Sequence, residues 1–328
     1  MRTVLAVDGG NSKTDVAVAD VSGRLLSRVV GPGCSPDALG VDGCVEVLAP
    51  LVATARKEAG LDPGAAFDAA ALLLAGVDRP EQEIVVAGAV DRLGLGPAVV
   101  VSNDTFAVLL AGSAHGWGVA VVCGAGLNAV GVTPDGRVGR YQALGELSGD
   151  WGGGYAVGLS ALGAAIRGSD GRGPRTLLTP ELCAHFSVPE PQAVAASIHE
   201  QRMDSQVLVG LAPLVFGCAS RGDDVAQAIV ERVADEVSVM AVAMLRRLGL
   251  DAGETDVVLG GGLLQAGHAA LDERVRRLVL EAAPRARVCV LDVPPVVGSV
   301  RAGLERLDVP QPEVEMALKR VSAAVGAG

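Results

Sequence analysis

The residues best suited to chemistry sit in glycine turns beside carboxylates. Asp8 is followed by Gly9-Gly10-Asn11-Ser12-Lys13-Thr14, small side chains with one ammonium among them. Backbone N–H groups in such a turn can form an anion-binding nest, and Lys13 and the Ser12 hydroxyl add donors. A plain tight hairpin would use the same residues. A P-loop needs glycine directly before Lys-Ser/Thr and a helix directly after. Here Ser12 precedes Lys13 and a strand pattern follows Thr14, so that motif fails, as does the dinucleotide fingerprint. Asp8 is placed either to hold a metal, directly or through water, or to cap the turn as a strand-end carboxylate.

Two more turns share this character. Gly124-Ala125-Gly126 has Asn128 just beyond it. Gly260-Gly261-Gly262 lies between an apolar strand and a helix starting near Leu263, a context that suits ribose or phosphates at a helix N-terminus. Between the first two turns, Val99-Val100-Val101-Ser102-Asn103-Asp104 is an apolar strand ending at a helix start. Asp104 is either a helix cap or a general base that accepts a proton from a substrate hydroxyl. Phosphoryl transfer needs little more than positioning, metal charge and one such base. Residues 141–155 (YQALGELSGDWGGGY) form a glycine-rich loop holding Asp150. It either approaches a polar ligand or connects elements at the surface. Trp151 argues against the second, because this chain has only two Trp, two Tyr and four Phe.

The elements that position these residues follow from periodicity. Residues 3–8 are an apolar run, 15–20 alternate with period two, and 25–30 follow a turn at Val21-Ser22-Gly23-Arg24. Residues 118–140 repeat this plan: strand, glycine turn, strand, Asp-Gly turn. At an offset of 113, Gly23 falls on Gly136 and Arg24 on Arg137, which points to an internal duplication. Helical spacing covers 42–59, 80–93, 104–112, 155–167, 176–186, 191–203, 205–219 and 223–248. Further strands are expected at 70–75, 98–102, 255–259 and 287–291. Strands alternating with helices predict an α/β fold. A boundary is expected near 113–117, giving domains 1–115 and 116–310, with a last helix at 311–325 folded back on the first.

Composition narrows the classes. At 328 residues a single core usually splits in two. With so few aromatics, the core must be closely packed Ala, Val and Leu. The 44 glycines are about twice the usual ~7%. A net charge of −11 argues against nucleic acid or an anionic membrane as partner. Thr105–Pro134 lacks charge over a length that could span a bilayer, but six glycines, His115 and Asn128 interrupt it. It is read as a buried helix end, a turn and a core strand. The six cysteines show no C-x-x-C spacing, and the N-terminus is too short in apolar residues for a signal peptide, which predicts a cytoplasmic chain with reduced thiols.

These segments together resemble the actin/hexokinase/Hsp70 superfamily, and within it the N-acetylglucosamine kinase group of the BadF/BadG/BcrA/BcrD ATPases. The residues that carry the likeness are VDGGNSKTDVAVAD (7–20), LLAGVDRPE (73–81), SND (102–104), VCGAGLNAVG (122–131), ALGELSGDWGGGYAVG (143–158), ASRGDDVA (219–226), VVLGGGLL (257–264) and PPVVGSVRAGL (294–304). The resemblance implies a duplicated two-domain actin-like ATPase (ribonuclease H-like) α/β fold with an interdomain cleft. It implies ATP, Mg²⁺ and a sugar as small-molecule partners, and a homodimer. Asp8 would bind Mg²⁺ through water. Gly10, Asn11, Ser12, Lys13 and Thr14 would wrap the β- and γ-phosphates, with Gly124, Ala125 and Gly126 contacting phosphate from the second domain. Ala219, Gly261 and Gly262 would line the adenosine site. Asp104 would be the base for the 6-hydroxyl of an amino sugar, N-acetylglucosamine by first choice. Asp37, Asp78, Asn103, Gly145, Glu146 and Asp150 would hold the sugar. The same resemblance leaves two rivals: an ATPase that activates a partner enzyme, and a sugar-binding regulator without catalysis. The chain departs from the usual pattern in four places. Its second turn reads Gly-Ala-Gly-Leu-Asn rather than Gly-Thr-Gly-Ser-Asn. Asp150-Trp151-Gly152 replaces Asp-Glu-Gly, a sugar-contacting Asn is missing from 33–37, and Ala75 replaces a serine.

Overall fold

The computed structural model describes residues 1–326 and contains two five-stranded sheets. The first holds β1 (Thr3–Gly9), β2 (Lys13–Asp20), β3 (Leu25–Pro32), β4 (Ala69–Leu74) and β5 (Val99–Asn103). The second holds β6 (Gly118–Cys123), β7 (Leu127–Val132), β8 (Val138–Arg140), β9 (Thr255–Gly260) and β10 (Ala286–Val290). Their orders, β3-β2-β1-β4-β5 and β8-β7-β6-β9-β10, are one plan used twice. In each, the first three strands are antiparallel neighbours and the last two join in parallel. The duplication extends to single hydrogen bonds. Asp20 N donates to Arg24 O and Thr133 N to Arg137 O, both at 3.0 Å. Gly23 N donates to Asp20 O and Gly136 N to Thr133 O, both at 2.9 Å.

The helices are α1 (Pro36–Glu58), α2 (Pro80–Val90), α3 (Thr105–Gly112), α4 (Gly153–Asp170), α5 (Leu178–Phe186), α6 (Gln192–His199), α7 (Ala212–Ser220), α8 (Asp224–Leu248), α9 (Gly262–Gln265), α10 (Ala269–Ala282), α11 (Val296–Arg306) and α12 (Gln311–Gly326). Helix α1 starts earlier than its periodicity predicts but breaks at Gly40, so its regular part begins where expected. The expected helix at 205–219 is divided, because Ser205–Leu211 winds as a tighter 3-10 turn before α7. The sequence reading has no helix at α10 or α11. The signal is nonetheless there: Leu271, Val275 and Val279 are four apart, as are Val296, Val300 and Leu304, and all six are buried. Helix α1 is long and apolar enough to cross a bilayer, but Val45, Leu48, Val52 and Ala55 are buried against the first sheet.

Strand β1 is apolar from Val4 to Val7 because both of its faces are covered. Leu5 and Val7 join the core under α1, while Val4 and Ala6 join a second core with α11 and α12. The same division explains β2: Val16 and Val18 face α1, and the small Ala17 and Ala19 leave room for the C-terminal helices.

Each sheet sends the helix after its fifth strand to the other sheet. Helix α3 leaves β5 and packs on β6, β7 and β9, whereas α11 follows β10 and packs on β1 and β4. The two helices also pack on each other, and a shared core forms around α3 from Leu73, Phe106, Leu109, Ala120, Val130 and Val258. Arg301, 1% exposed, donates to the carbonyls of Ser113 (2.7 Å) and Leu110 (3.3 Å), occupying acceptors that a helix C-terminus leaves free. Gly298 lets α11 approach α3 at backbone distance, because a Cβ there would overlap Ala107 O. Gly298→Val should therefore separate the two helices and destabilise the chain by about 1–3 kcal/mol. Urea unfolding checks this; an unchanged midpoint would show that the contact bears no strain.

Candidate active site

The carboxyl ends of β1, β4 and β5 and the β6–β7 turn enclose a cavity of about 310 Å³ between the sheets. One wall is Gly10, Asn11, Ser12 and Lys13; facing it are Gly124, Ala125, Gly126 and Asn128. Asp37, Asp78, Asn103 and Asp104 line it as well, together with Ser35, Ala75, Gly76 and Ala143. Residues far apart in sequence meet here because each first-rank turn ends a central strand of its own sheet.

The turns are held by backbone contacts. Gly10 N donates to Lys13 O at 2.9 Å and Cys34 N to Gly10 O at 3.2 Å, which fixes the first turn from both sides. In the second, Gly124 N donates to Gly126 O at 2.9 Å, and Gly154 N and Tyr155 N donate to the carbonyls of Gly124 (2.8 Å) and Ala125 (3.1 Å). Gly153, at φ +76°, stands where any Cβ would overlap Gly126. Gly261, at φ +89°, would set a Cβ 2.5 Å from the Cys123 carbonyl carbon. Thus the third glycine turn and the start of α4 both press against the base of the second. Gly153 and Gly154 meet backbone atoms of Gly126 and Val209, while Gly152 sits against the Leu127 side chain.

Asp104 stands at the N-cap position of α3 but makes no side-chain cap bond. That duty falls to Asn103, whose Oδ1 accepts from Thr105 N at 2.9 Å. The alternative of a simple capping aspartate is therefore overturned. Burial pushes the Asp104 carboxyl up to about 7, with the charge of Asp78 adding to the rise. Asp8, at the end of β1, is pushed up to about 8 by burial, then by repulsion from Asp104 and Asp15, against the pull of Lys13. Asp78 is pushed up to about 6 by burial and by Asp37. Its Oδ1 accepts from Asn103 Nδ2 at 2.8 Å and from Asn128 Nδ2 at 3.0 Å. Because Asn128 lies on β7 and Asp78 follows β4, this bond joins the two halves across the cavity.

A second bridge crosses nearby. Arg140 of β8 pairs with Glu83 of α2 at 2.6 Å, and Glu83 also accepts from Ser102 Oγ at 2.6 Å. The Arg140 guanidinium rests over the Phe106 ring, 4.8 Å from its centre. Sequence reasoning missed this group, since nothing local marks residues so far apart as partners.

The other expected site residues lie elsewhere. Thr14 is fully buried and its hydroxyl donates to Pro32 O at 2.6 Å, so its side chain serves the sheet. Gly145 and Glu146 form an exposed 3-10 turn outside the cavity lining. Asp150 is buried and accepts from Ser148 Oγ. Trp151 is buried with the Arg232 guanidinium 3.9 Å from its ring centre, so this stretch is anchored. Ala219 lines a separate cavity of about 540 Å³ with Phe216 and His268, whose rings stack at 3.8 Å. Gly261 and Gly262 lie at the start of α9, behind Cys123.

The donor set fits a divalent cation. Asp104 lines the cavity whereas Asp8, ending β1, does not; the Asp104 charge raises the Asp8 carboxyl, a cost that a dication would relieve. One or two carboxylates, with waters and phosphate oxygens completing the shell, is the arrangement Mg²⁺ takes in phosphoryl-transfer sites.

Twin sheets of one order, crossed helices and opposed glycine turns define the actin-like ATPase class, a two-domain α/β fold. Within it, the chain belongs to the BadF/BadG/BcrA/BcrD ATPase family, whose model matches residues 5–302. It is 26% identical over 314 residues to an N-acetyl-D-glucosamine kinase of Dictyostelium discoideum, covering 92% of this chain and 97% of that one. It is 24% identical to an N-acetylmuramic acid/N-acetylglucosamine kinase of Clostridium acetobutylicum, covering 83% and 89%. A solved structure from Chromobacterium violaceum, described as an N-acetylglucosamine kinase, superposes with a TM-score of 0.71 over 94% of this chain and 99% of that one, at 24% identity.

Asp78 supplies a test of the site's electrostatics. Its carboxyl ionises near 3.8 when unperturbed and at about 6 here, so the folded state holds the proton more tightly. Its ionisation then weakens the fold progressively from about pH 4 to about pH 6, and fully above. Asp78→Asn keeps the acceptor for both asparagines and removes the charge. It should raise the melting temperature at about pH 8, by on the order of 1 kcal/mol after solvent screening, and leave it unchanged at about pH 3.5. Equal melting of both proteins at pH 8 would contradict the assigned shift.

Proposed function

We propose that the chain is an ATP-dependent sugar kinase that phosphorylates the 6-hydroxyl of an amino sugar. The observation that carries the reading is Asp104: a carboxylate freed from capping, buried to about 7, on the cavity wall between two phosphate-sized glycine turns. Family membership supports ATP as the donor, and the kinases to which the chain is similar support a sugar acceptor.

On this reading the halves 1–115 and 116–310 are domains that close over the substrates, with α12 returning to the first. With the Gly10 and Gly124 N–H groups closing the turns, the N–H groups of Asn11, Ser12, Ala125 and Gly126 receive the phosphates, and Lys13 adds charge to the first turn. Ala219, Gly261 and Gly262 border the nucleoside, while Gly145, Glu146 and Asp150 reach the sugar only on closure. Asp8 and Asp104 would hold Mg²⁺ through water, which supplies charge to neutralise the transferring phosphoryl group. Asp104 takes the proton of the 6-hydroxyl as that oxygen attacks the γ-phosphorus. The bond from phosphorus to the new ester oxygen forms, the bond to the β-phosphate oxygen breaks, and ADP leaves with the electron pair. A base near 7 is well matched to this task at neutral pH. Asn103 fixes the start of α3 and with it the base's position.

Asp104→Asn should lower turnover by about 10²–10⁴-fold while nucleotide binding stays within a factor of about two. In the wild type, kcat/KM should fall as pH drops through about 7, because protonated Asp104 accepts no proton. Coupled ADP assays with N-acetylglucosamine, glucosamine, N-acetylmannosamine, N-acetylmuramic acid and glucose, read against calorimetric nucleotide binding, check both. Turnover retained by Asp104→Asn would remove Asp104 from the base role.

A further inference from the structure

One end of the cavity has hydrogen-bond acceptors without partners. Ser35 is 2% exposed, lines the cavity, and its Oγ has no hydrogen-bond partner. A buried hydroxyl left so is free to bond a group that enters the cavity. Ser35 and Asp37 converge over Gly76, where an added Cβ would lie 2.9 Å from both Ser35 Oγ and Asp37 Cγ. Asp78 stands beside them, close enough that the charge of Asp37 hinders its ionisation. Its Oδ1 already accepts from Asn103 and Asn128, which leaves its second oxygen, and among the described residues nothing bonds the Asp37 carboxylate.

The donors near this end are committed. Both asparagine amides point at Asp78, and Arg140 is paired with Glu83. Arg79, whose charge Asp78 also feels, lies outside the cavity lining. Lys13 stands on the first glycine turn, paired across the sheet with Pro32, and its charge acts on Asp8. An ammonium group has three N–H donors and no acceptor, the complement of one hydroxyl oxygen and two carboxylates. An acetamido carbonyl could accept from the Ser35 hydroxyl but brings no charge to the two carboxylates, and a lactyl group brings a second anion against them.

We propose that Ser35, Asp37 and Asp78 form a subsite for a protonated amine, so that the acceptor is an unacetylated amino sugar such as glucosamine. This rests on the sugar-kinase reading and narrows it. Charge-assisted hydrogen bonds from such an amine favour it over a neutral analogue by about tenfold or more.

The test compares glucosamine, N-acetylglucosamine and glucose as acceptors near pH 7, in wild type and in Asp37→Asn, a change at an exposed position. Glucosamine should exceed both other sugars in kcat/KM by about tenfold. Asp37→Asn should lower the ratio of kcat/KM for glucosamine to that for glucose by about tenfold. N-acetylglucosamine equal to or better than glucosamine in the wild type, or an equal loss for glucose and glucosamine in the variant, overturns the proposal and leaves the kinase reading intact. If no sugar is phosphorylated, the kinase reading falls, and calorimetry with the same three sugars decides the subsite. Glucosamine bound at least about tenfold tighter than glucose supports it, and anything less overturns it.

Discussion

Everything at the cleft depends on α3 belonging to two cores. Its residues are hydrophobic all round: Phe106 and Leu109 pack among side chains from both sheets, and α11 closes over Ala107 at backbone distance. Burying each such side chain is worth about 1.5–3 kcal/mol, so the wedge cannot be withdrawn from either sheet without large loss. Asp104 begins this helix and inherits its rigidity. A carboxylate carried on a free loop would swing; one at the root of a doubly packed helix holds its place, as the proposed base role requires.

That fixed position has an electrostatic cost. Asp8, Asp78 and Asp104 are gathered without a compensating cation among their hydrogen-bond partners, and each is pushed up by burial. The fold tolerates this because neighbouring dipoles absorb part of it: two asparagine amides on Asp78, and Lys13 facing Asp8. Such clusters concentrate at functional sites, since a purely structural surface would simply expose the carboxylates.

Much of the fold was legible in the sequence because it rests on local patterns. Period-two alternation marked β2, apolar runs marked β1, β4 and β9, and the turn at Gly23 repeated at Gly136 down to its hydrogen bonds. The helices α10 and α11 were written in equally plain four-residue spacing but stood among motifs that drew attention to turns. At the site, turn residues and strand-end carboxylates could be picked out one by one, since glycine and acidic residues stand out from an aliphatic background. Pairings across the cleft could not. Nothing in Arg140 or Glu83 announces the other, and Asn128 finds Asp78 only after two sheets have formed. Ser35 was hidden for another reason: a serine becomes informative only when it is known to be buried and unpaired.

The duplicated plan also explains why the two facing turns differ. Both are built of glycine and small residues, which would let a ligand approach them closely. The first carries Lys13 and a hydroxyl; the second has Ala125 and Leu127 in the corresponding region and offers backbone alone. Its stiffness is therefore supplied from behind, by Gly153 and Gly261 packed against it. Losing side-chain hydroxyls there removes donors without loosening the turn, because its carbonyls are held by Gly154 and Tyr155. With its carbonyls held from behind and Gly124 N closing the turn, the N–H groups of Ala125 and Gly126 are the ones left for an anion. The substitutions in the second turn are thus compatible with phosphate binding, and the chain's individuality lies at the Ser35–Asp37 end instead.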